Sequence, residues 1–178
     1  NARLCMASAV MGFMTQFQSD EPMGCYEDFE MGDDFVLWGN NMAEMHPVLF
    51  SRILANKRAN PHVRIIDMGT RRTPTTDYAD MYVEFEPNSD LAIANGIAYL
   101  LLKREAYDKE FVEKHCAFRG EGGHPLFGKA ITFGEYRAAI QRYTPEYVAG
   151  ISGVPAAEIE ALADLFGNPQ KKIVSLWC

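Results

Sequence analysis

Four short apolar runs, separated by segments of helical periodicity, constrain the fold of this chain more than any other feature of its sequence. The runs cover residues 35–38, 63–67, 81–85 and 173–177 and are bounded by turn-forming residues, which predicts buried strands. Because strands that alternate with helices pair in parallel, we predict an α/β fold. We expect an open, mostly parallel sheet with helices on both faces, in a Rossmann-like three-layer αβα arrangement.

The intervening segments carry the spacing and the end signals of helices. A capping box, Thr132 to Glu135, opens one helix, and Pro145 and Pro155 each stand at a predicted first helical position. Gly167 ends the last helix. The predicted helices otherwise cover residues 2–17, 26–32, 42–58, 91–103, 108–115 and 132–142.

Three further local predictions depend on particular residues. Asn88, Ser89 and Asp90 are expected to cap the helix that begins at residue 91. A helix over 42–58 tolerates Pro47 only if that proline lies in the first turn. Residues 119–129 hold four glycines and one proline, which predicts a surface loop.

The bulk properties fit one globular domain. A length of 178 residues does not require a second domain, and we predict a single α/β domain over residues 1–178, largely helical in its C-terminal third and excised from a longer chain. A net charge of −7 argues against a nucleic-acid-binding surface, and no apolar run is long enough to span a bilayer. The four cysteines form no CxxC pair, which argues against a zinc site or a thioredoxin-like redox pair.

Polar loops follow three of the predicted strands. In such sheets, ligands bind in the crevice beyond the carboxyl ends of the strands. Residues 39–41 combine a glycine and two amides with a helix start, which suits an anion, and residues 69–73 supply hydroxyls and two guanidiniums, which suit phosphate. Residues 87–90 supply a carboxylate that could accept paired N–H donors from a base such as guanine. A nucleotide site at these loops is one interpretation.

The alternative interpretation gives these residues structural roles only. Asn40 and Asn41 would then hold a turn or cap a helix, Asp90 would cap its own helix, and Arg71 and Arg72 would be solvated surface charge. Neither a GxGxxG nor a GxxxxGK[ST] motif occurs, so the usual dinucleotide and P-loop signatures are absent.

Cys5 is the other candidate for chemistry. A lone cysteine between Leu4 and Met6 is most often a small buried hydrophobic residue. It could instead be a soft thiolate ligand for a metal, or the nucleophile of a thiol hydrolase. The hydrolase alternative needs a histidine beside the thiol, and the chain offers His46, His62, His115 and His124.

Several longer motifs, in one order along the whole chain, resemble a known family. They are residues 1–10 (NARLCMASAV), 20–26 (DEPMGCY), 38–47 (WGNNMAEMHP), 88–92 (NSDLA) and 174–178 (VSLWC). Together they resemble the catalytic subunits of periplasmic nitrate reductases, which are molybdopterin guanine dinucleotide oxidoreductases. The resemblance implies reduction of nitrate to nitrite at a molybdenum bis(molybdopterin guanine dinucleotide) centre, a periplasmic location and a c-type cytochrome that delivers electrons.

The same resemblance assigns roles to individual residues. It implies that Cys5 ligates molybdenum, that Met6 lies near the substrate funnel, and that Asn1 touches a pterin. The family's 4Fe-4S cluster is held by cysteines that would precede Asn1, so the chain alone is expected to be inactive. The remaining cofactor-binding residues implied by the resemblance are Trp38, Gly39, Asn40, Asn41, Met42, Ala43, Glu44, Met45, Gly69, Thr70, Arg71, Arg72, Thr73, Asn88, Ser89 and Asp90.

Two departures and three rival functions accompany this resemblance. The first turn often reads Gly-Ser-Asn in the family, where this chain has Gly39-Asn40-Asn41. Related enzymes often carry Asp-Pro-Arg where this chain has Gly69-Thr70-Arg71, and Asp67 lies two residues earlier in the strand. One rival is an assimilatory nitrate reductase of the same superfamily. A second is a formate dehydrogenase, which typically has a histidine after its cysteine or selenocysteine ligand, so Met6 favours nitrate. A third is a non-catalytic nucleotide-binding module of flavodoxin-like shape.

Overall fold

The computed structural model describes residues 7–177, and its centre is a parallel sheet. Four strands pair in the order β3-β2-β1-β6, and every pairing between them is parallel. This confirms the predicted α/β class and all four predicted strands. Their bounds are β1 Asp34–Trp38, β2 Arg64–Gly69, β3 Met81–Glu84 and β6 Ile173–Trp177.

Helices cover both faces of this sheet because side chains alternate along each strand. Phe35 and Leu37 of β1 point into a core with α2 and α4, whereas Val36 points into a larger core with α5, α8 and α9. The helices are α1 Ala7–Phe17, α2 Asp28–Met31, α3 Met42–Met45, α4 Pro47–Ala59, α5 Asp90–Lys103, α6 Lys109–His115, α7 Phe133–Ile140, α8 Pro145–Ser152 and α9 Ala156–Phe166. Residues 2–6 of the first predicted helix lie outside the described part of the chain.

The segment predicted as one helix over 42–58 is two helices. His46 stands between α3 and α4 with non-helical backbone angles, and Pro47 is the first residue of α4. A proline at that position loses nothing, because the first amides of a helix have no partner within it. Pro47 therefore lies in the first turn of a helix, as the prediction required, but that helix begins at residue 47 and not at residue 42.

A β-hairpin replaces the predicted surface loop at residues 119–129, so that prediction is wrong. Strands β4 Phe118–His124 and β5 Gly128–Ile131 pair antiparallel, apart from the central sheet. Glycine is needed at position 128, where φ is +62° and a Cβ would lie 2.3 Å from the Gly120 carbonyl oxygen. The glycines therefore permit close pairing of two strands here.

The predicted helix ends are partly correct. Thr132 and Glu135 form the predicted capping box, and Gly167 ends α9. Pro155 is the N-cap of α9 rather than its first residue. Ser89 is the N-cap of α5, within the predicted residues 88–90, but its side chain makes no capping hydrogen bond. Within residues 7–177, no helix has the length and apolar character needed to cross a membrane.

Candidate functional site

Three of the polar loops meet at one edge of the sheet, which we call the carboxyl edge because β1, β2, β3 and β6 all end there. The amide of Gly39 donates to the Met68 carbonyl (2.7 Å), which joins the ends of β1 and β2. The indole N–H of Trp38 donates to a carboxylate oxygen of Asp90 (2.9 Å), which joins β1 to the loop after β3. The structure therefore brings together the three loops that the sequence singled out.

Thr75 ties the first loop to the second, and sequence reasoning missed it. Its side chain is fully buried, and its hydroxyl donates to Asn41 Oδ1 (2.8 Å) while accepting from the Ala43 amide (3.0 Å). The side-chain amide of Asn41 donates in turn to Glu44. The signal that could have found it is a pair of threonines directly after Pro74, in a loop that leaves a buried strand.

Two oxygen atoms beside this tie have no hydrogen-bond partner within residues 7–177. They are Asn40 Oδ1, on a residue only 7% exposed, and Thr73 Oγ1. Leaving a buried polar atom unpaired costs about 1–3 kcal/mol. The asparagine oxygen can only accept a hydrogen bond, whereas the threonine hydroxyl can also donate one. Both atoms are suited to a ligand that brings hydroxyl and oxyanion groups.

Two arginines immediately precede Thr73 in the loop after β2. Arg71 and Arg72 are exposed and form no salt bridge with any residue in the described range. The guanidinium of Arg72 lies over the ring of Tyr82, 5.0 Å from its centroid, which holds the cation in place at the edge. Burial, reinforced by a hydrogen bond to Glu84, raises the pKa of Tyr82 to about 12, so the ring stays neutral.

Asp67 lies in the middle of β2, and its carboxylate is hydrogen-bonded to another residue of the chain. It is 4% exposed, and its Oδ2 atom accepts a hydrogen bond from the Thr76 hydroxyl (2.5 Å). Burial raises the pKa of its carboxyl, and the Thr76 hydroxyl and the charge of Arg72 oppose part of that rise. Its burial and its bond to Thr76 make Asp67 a poor substitute for the aspartate that the resemblance leads us to expect where this chain has Gly69.

The Asp67→Asn variant should be more stable than the wild type at pH 7. The folded-state pKa is raised, so the folded protein is penalised for ionising this group as the pH rises through that pKa. An asparagine can still accept from Thr76 and carries no charge. Denaturant unfolding at pH 7 and pH 3.5 should therefore show a gain in unfolding free energy at pH 7 that shrinks at pH 3.5. A loss at pH 7 would contradict the role of burial.

Asp90, the first residue of α5, presents its carboxylate to solvent at the carboxyl edge. Asp90 is exposed and uses one oxygen for Trp38, whereas Ser89 is buried and its hydroxyl donates to the Glu86 carbonyl (2.6 Å). Asn88 adopts a left-handed backbone conformation, with φ of +67°. Since Asp90 makes no capping bond to its own helix, the interpretation in which it only caps α5 lacks its expected contact.

The other predicted site residues occupy different depths. Gly39 has φ of +67°, which favours glycine, and Thr70 and Met45 are exposed at the carboxyl edge. Met42 is 1% exposed and packs in the core with Phe50 and Ile53 of α4, so the protein encloses its side chain. Asn1, Cys5 and Met6 lie outside the described residues. Among residues 7–177, no group of three or more His, Cys, Asp or Glu side chains is placed to hold a metal ion.

A groove of about 970 Å³ runs along the free side of β6, between that strand, α1 and the loop before α2. Phe13 of α1 stacks on Trp177 at the end of β6, with 5.3 Å between ring centroids. Cys25 lines the groove and is an exposed free thiol, as is Cys116 elsewhere on the surface. The groove is mainly apolar, whereas the polar groups described above lie beyond β1, β2 and β3.

Two comparisons with known proteins bear on this chain. The family described as "Molybdopterin oxidoreductase" matches residues 1–175. Among solved structures, acetylene hydratase from Pelobacter acetylenicus matches with a TM-score of 0.77 over 99% of this chain, at 22% sequence identity. At that identity the likeness concerns the fold. This chain spans 22% of the length of that hydratase chain.

Proposed function

Because the chain belongs to the molybdopterin oxidoreductase family, we propose that it forms part of the catalytic subunit of a nitrate reductase. The reaction would be the reduction of nitrate to nitrite at a molybdenum bis(molybdopterin guanine dinucleotide) centre. The observation that carries the proposal is the meeting of three polar loops at the carboxyl edge, where two buried oxygen atoms have no partner among residues 7–177. The motifs quoted from the sequence add the preference for nitrate.

The chemistry of the carboxyl edge fits a guanine dinucleotide. Asn40 Oδ1 would accept a ribose hydroxyl, and the Thr73 hydroxyl would donate to a phosphate oxygen. Arg71 and Arg72 would offset the phosphate charge, since no carboxylate within residues 7–177 forms a salt bridge with either. The free oxygen of Asp90 would accept N–H groups of the guanine base.

The first residues of the chain would complete the site. When bound, the molybdenum cofactor would supply the two-electron oxygen-atom transfer that converts nitrate to nitrite. Cys5 would provide a soft thiolate ligand for the metal, and Asn1 would contact a pterin. Met6, with its apolar side chain, would border the substrate funnel and would offer no titratable group where formate dehydrogenases typically have a histidine.

Further parts of the enzyme would lie outside this chain. The chain spans 22% of the acetylene hydratase chain that it matches, so we propose a longer catalytic subunit that also holds a 4Fe-4S cluster. That subunit would lie in the periplasm and would receive electrons from a c-type cytochrome. The 178-residue chain alone would bind neither the cluster nor a complete cofactor, and it would not reduce nitrate.

The test uses the longer protein that contains this chain, purified with its cofactor. We expect about one molybdenum and two guanine nucleotides for each polypeptide, and nitrate reduction with reduced viologen as electron donor. The isolated chain, given molybdate, should show none. Formate oxidation in place of nitrate reduction would instead identify the protein as a formate dehydrogenase. Absence of molybdenum with guanine nucleotide still bound would favour the non-catalytic nucleotide module and overturn the proposal.

A further inference from the structure

We propose that Thr75 is a positioning residue that locks the turn after β1 against the loop after β2 before any ligand binds. This inference rests on the proposed function, since it concerns the same dinucleotide-binding edge. Its effect would be to hold Asn40 and Thr73 in one fixed arrangement. A preformed arrangement loses less conformational entropy on binding than two independently mobile loops would.

The contacts of Thr75 support this role because they run to the other loop. Its hydroxyl lies 34 residues from Asn41 in sequence, and it both donates to Asn41 Oδ1 (2.8 Å) and accepts from the Ala43 amide (3.0 Å). The Ala43 amide belongs to the first turn of α3, where amides have no partner within the helix. Thr75 therefore satisfies a free helix-end donor and holds an asparagine side chain with a single hydroxyl.

This arrangement gives different roles to the two neighbouring asparagines, Asn40 and Asn41. Both ends of the Asn41 side-chain amide are engaged, by Thr75 and by Glu44, so Asn41 holds the turn. Asn40, buried beside it, keeps an oxygen without a partner in the described residues. The geometry thus makes Asn41 and Thr75 the support, and leaves Asn40 to contact the ligand.

A second tie fixes the far side of the same loop. The Thr76 hydroxyl accepts from the Thr73 amide (3.0 Å) and donates to buried Asp67. Thr75 and Thr76 are both buried and point to different partners, one toward the β1 turn and one toward β2. Thr73 is consequently held by its backbone, while its own hydroxyl has no partner in the described part of the chain.

The experiment compares Thr75→Val, which keeps the shape but removes the hydroxyl, with Thr75→Ser, which keeps the hydroxyl. In the 178-residue chain without ligand, NMR hydrogen exchange at the Ala43 amide reports the tie directly. In the longer enzyme, molybdenum and guanine nucleotide content report cofactor retention. Ile159→Val, which trims the core at α9 away from the loops, controls for a general loss of stability.

We expect Thr75→Val to speed Ala43 exchange and to lower cofactor content, each by about fivefold, with Thr75→Ser restoring both. Unchanged exchange at Ala43 in Thr75→Val would overturn the tie itself, whatever the enzyme does. Faster exchange with normal cofactor content, or an equal cofactor loss in Ile159→Val, would overturn the positioning role and leave the proposed function intact. A wild-type enzyme without molybdenum or guanine nucleotide would overturn both.

Discussion

Replacing Cys5 with serine is expected to abolish nitrate reduction in the longer enzyme that contains this chain. The proposed thiolate ligand is soft and donates charge to the metal, whereas a serine hydroxyl is a harder ligand that ionises far less readily. We expect a loss of about a thousandfold in turnover, which corresponds to about 4 kcal/mol in activation free energy. Steady-state assays with reduced viologen would measure it.

The guanine nucleotide content separates this effect from a folding defect. The loops that would hold the dinucleotide span residues 38–45, 69–73 and 88–90 and do not include Cys5, so the Cys5→Ser enzyme should keep most of its nucleotide. Cys25→Ser and Cys116→Ser are matched controls, because both thiols are exposed and neither is part of the proposed site. Full activity in the Cys5→Ser enzyme would remove the central residue of the proposal.

The parallel sheet was predictable because its signal is local. Each strand is a short apolar run bounded by turn residues, and the two central strands, β1 and β2, are buried on both faces, as is typical of a parallel sheet. The polar residues at the ends of β1, β2 and β3 follow directly, since parallel strands place their carboxyl ends at one edge. The meeting of residues 39–41, 69–73 and 87–90 at that edge could thus be anticipated from the sequence.

The errors fall where geometry depends on a partner distant in sequence. Residues 119–129 were predicted as a loop from their glycines, but Gly120 and Gly128 lie in paired strands, and their lack of a side chain lets the two backbones approach. Ser89 and Asp90 have the composition of helix caps, yet the β3–α5 connection directs them to Glu86 and Trp38. Composition alone does not specify either outcome.

The same limit applies inside the site. Thr75 contacts Asn41, and Thr76 contacts Asp67, and nothing in the local sequence indicates these pairs. Asn40 and Asn41 have the same side chain, and only the structure shows that Asn41 is hydrogen-bonded at both ends. Asn40 is buried, and its side-chain oxygen has no partner among the described residues. Residue identity predicted which loops meet at the carboxyl edge, whereas the contacts that separate the roles proposed within them depend on the fold.

The fold alone does not determine which substrate the enzyme uses. The chain has the fold of a protein named as an acetylene hydratase, at 22% identity, and one fold commonly supports different reactions. The proposed preference for nitrate therefore depends on the residues at the proposed metal, with Met6 after Cys5 as the distinguishing pair. For that reason the substrate assays in the proposed test include formate beside nitrate.

The Asn40→Leu variant should bind the cofactor less well without any loss of stability in the ligand-free chain. Leucine has nearly the same shape and removes a buried oxygen that has no partner within residues 7–177. The unfolding free energy, measured by denaturant titration, should stay equal or rise by about 1 kcal/mol. The backbone carbonyl of residue 40, which accepts from the Met42 amide, is unaffected by the change.

The cofactor content of the Asn40→Leu enzyme should fall, although the stability of the ligand-free chain does not. Loss of the acceptor proposed for a ribose hydroxyl should reduce guanine nucleotide content in the longer enzyme by about tenfold, the equivalent of about 1.4 kcal/mol. Asn41→Leu is the matched comparison, because Asn41 is engaged by Thr75 and Glu44 and its loss should destabilise the ligand-free chain by about 1–2 kcal/mol. If Asn40→Leu destabilises the chain as much as Asn41→Leu does, both asparagines hold the turn. The unpaired oxygen would then not be a ligand-binding group.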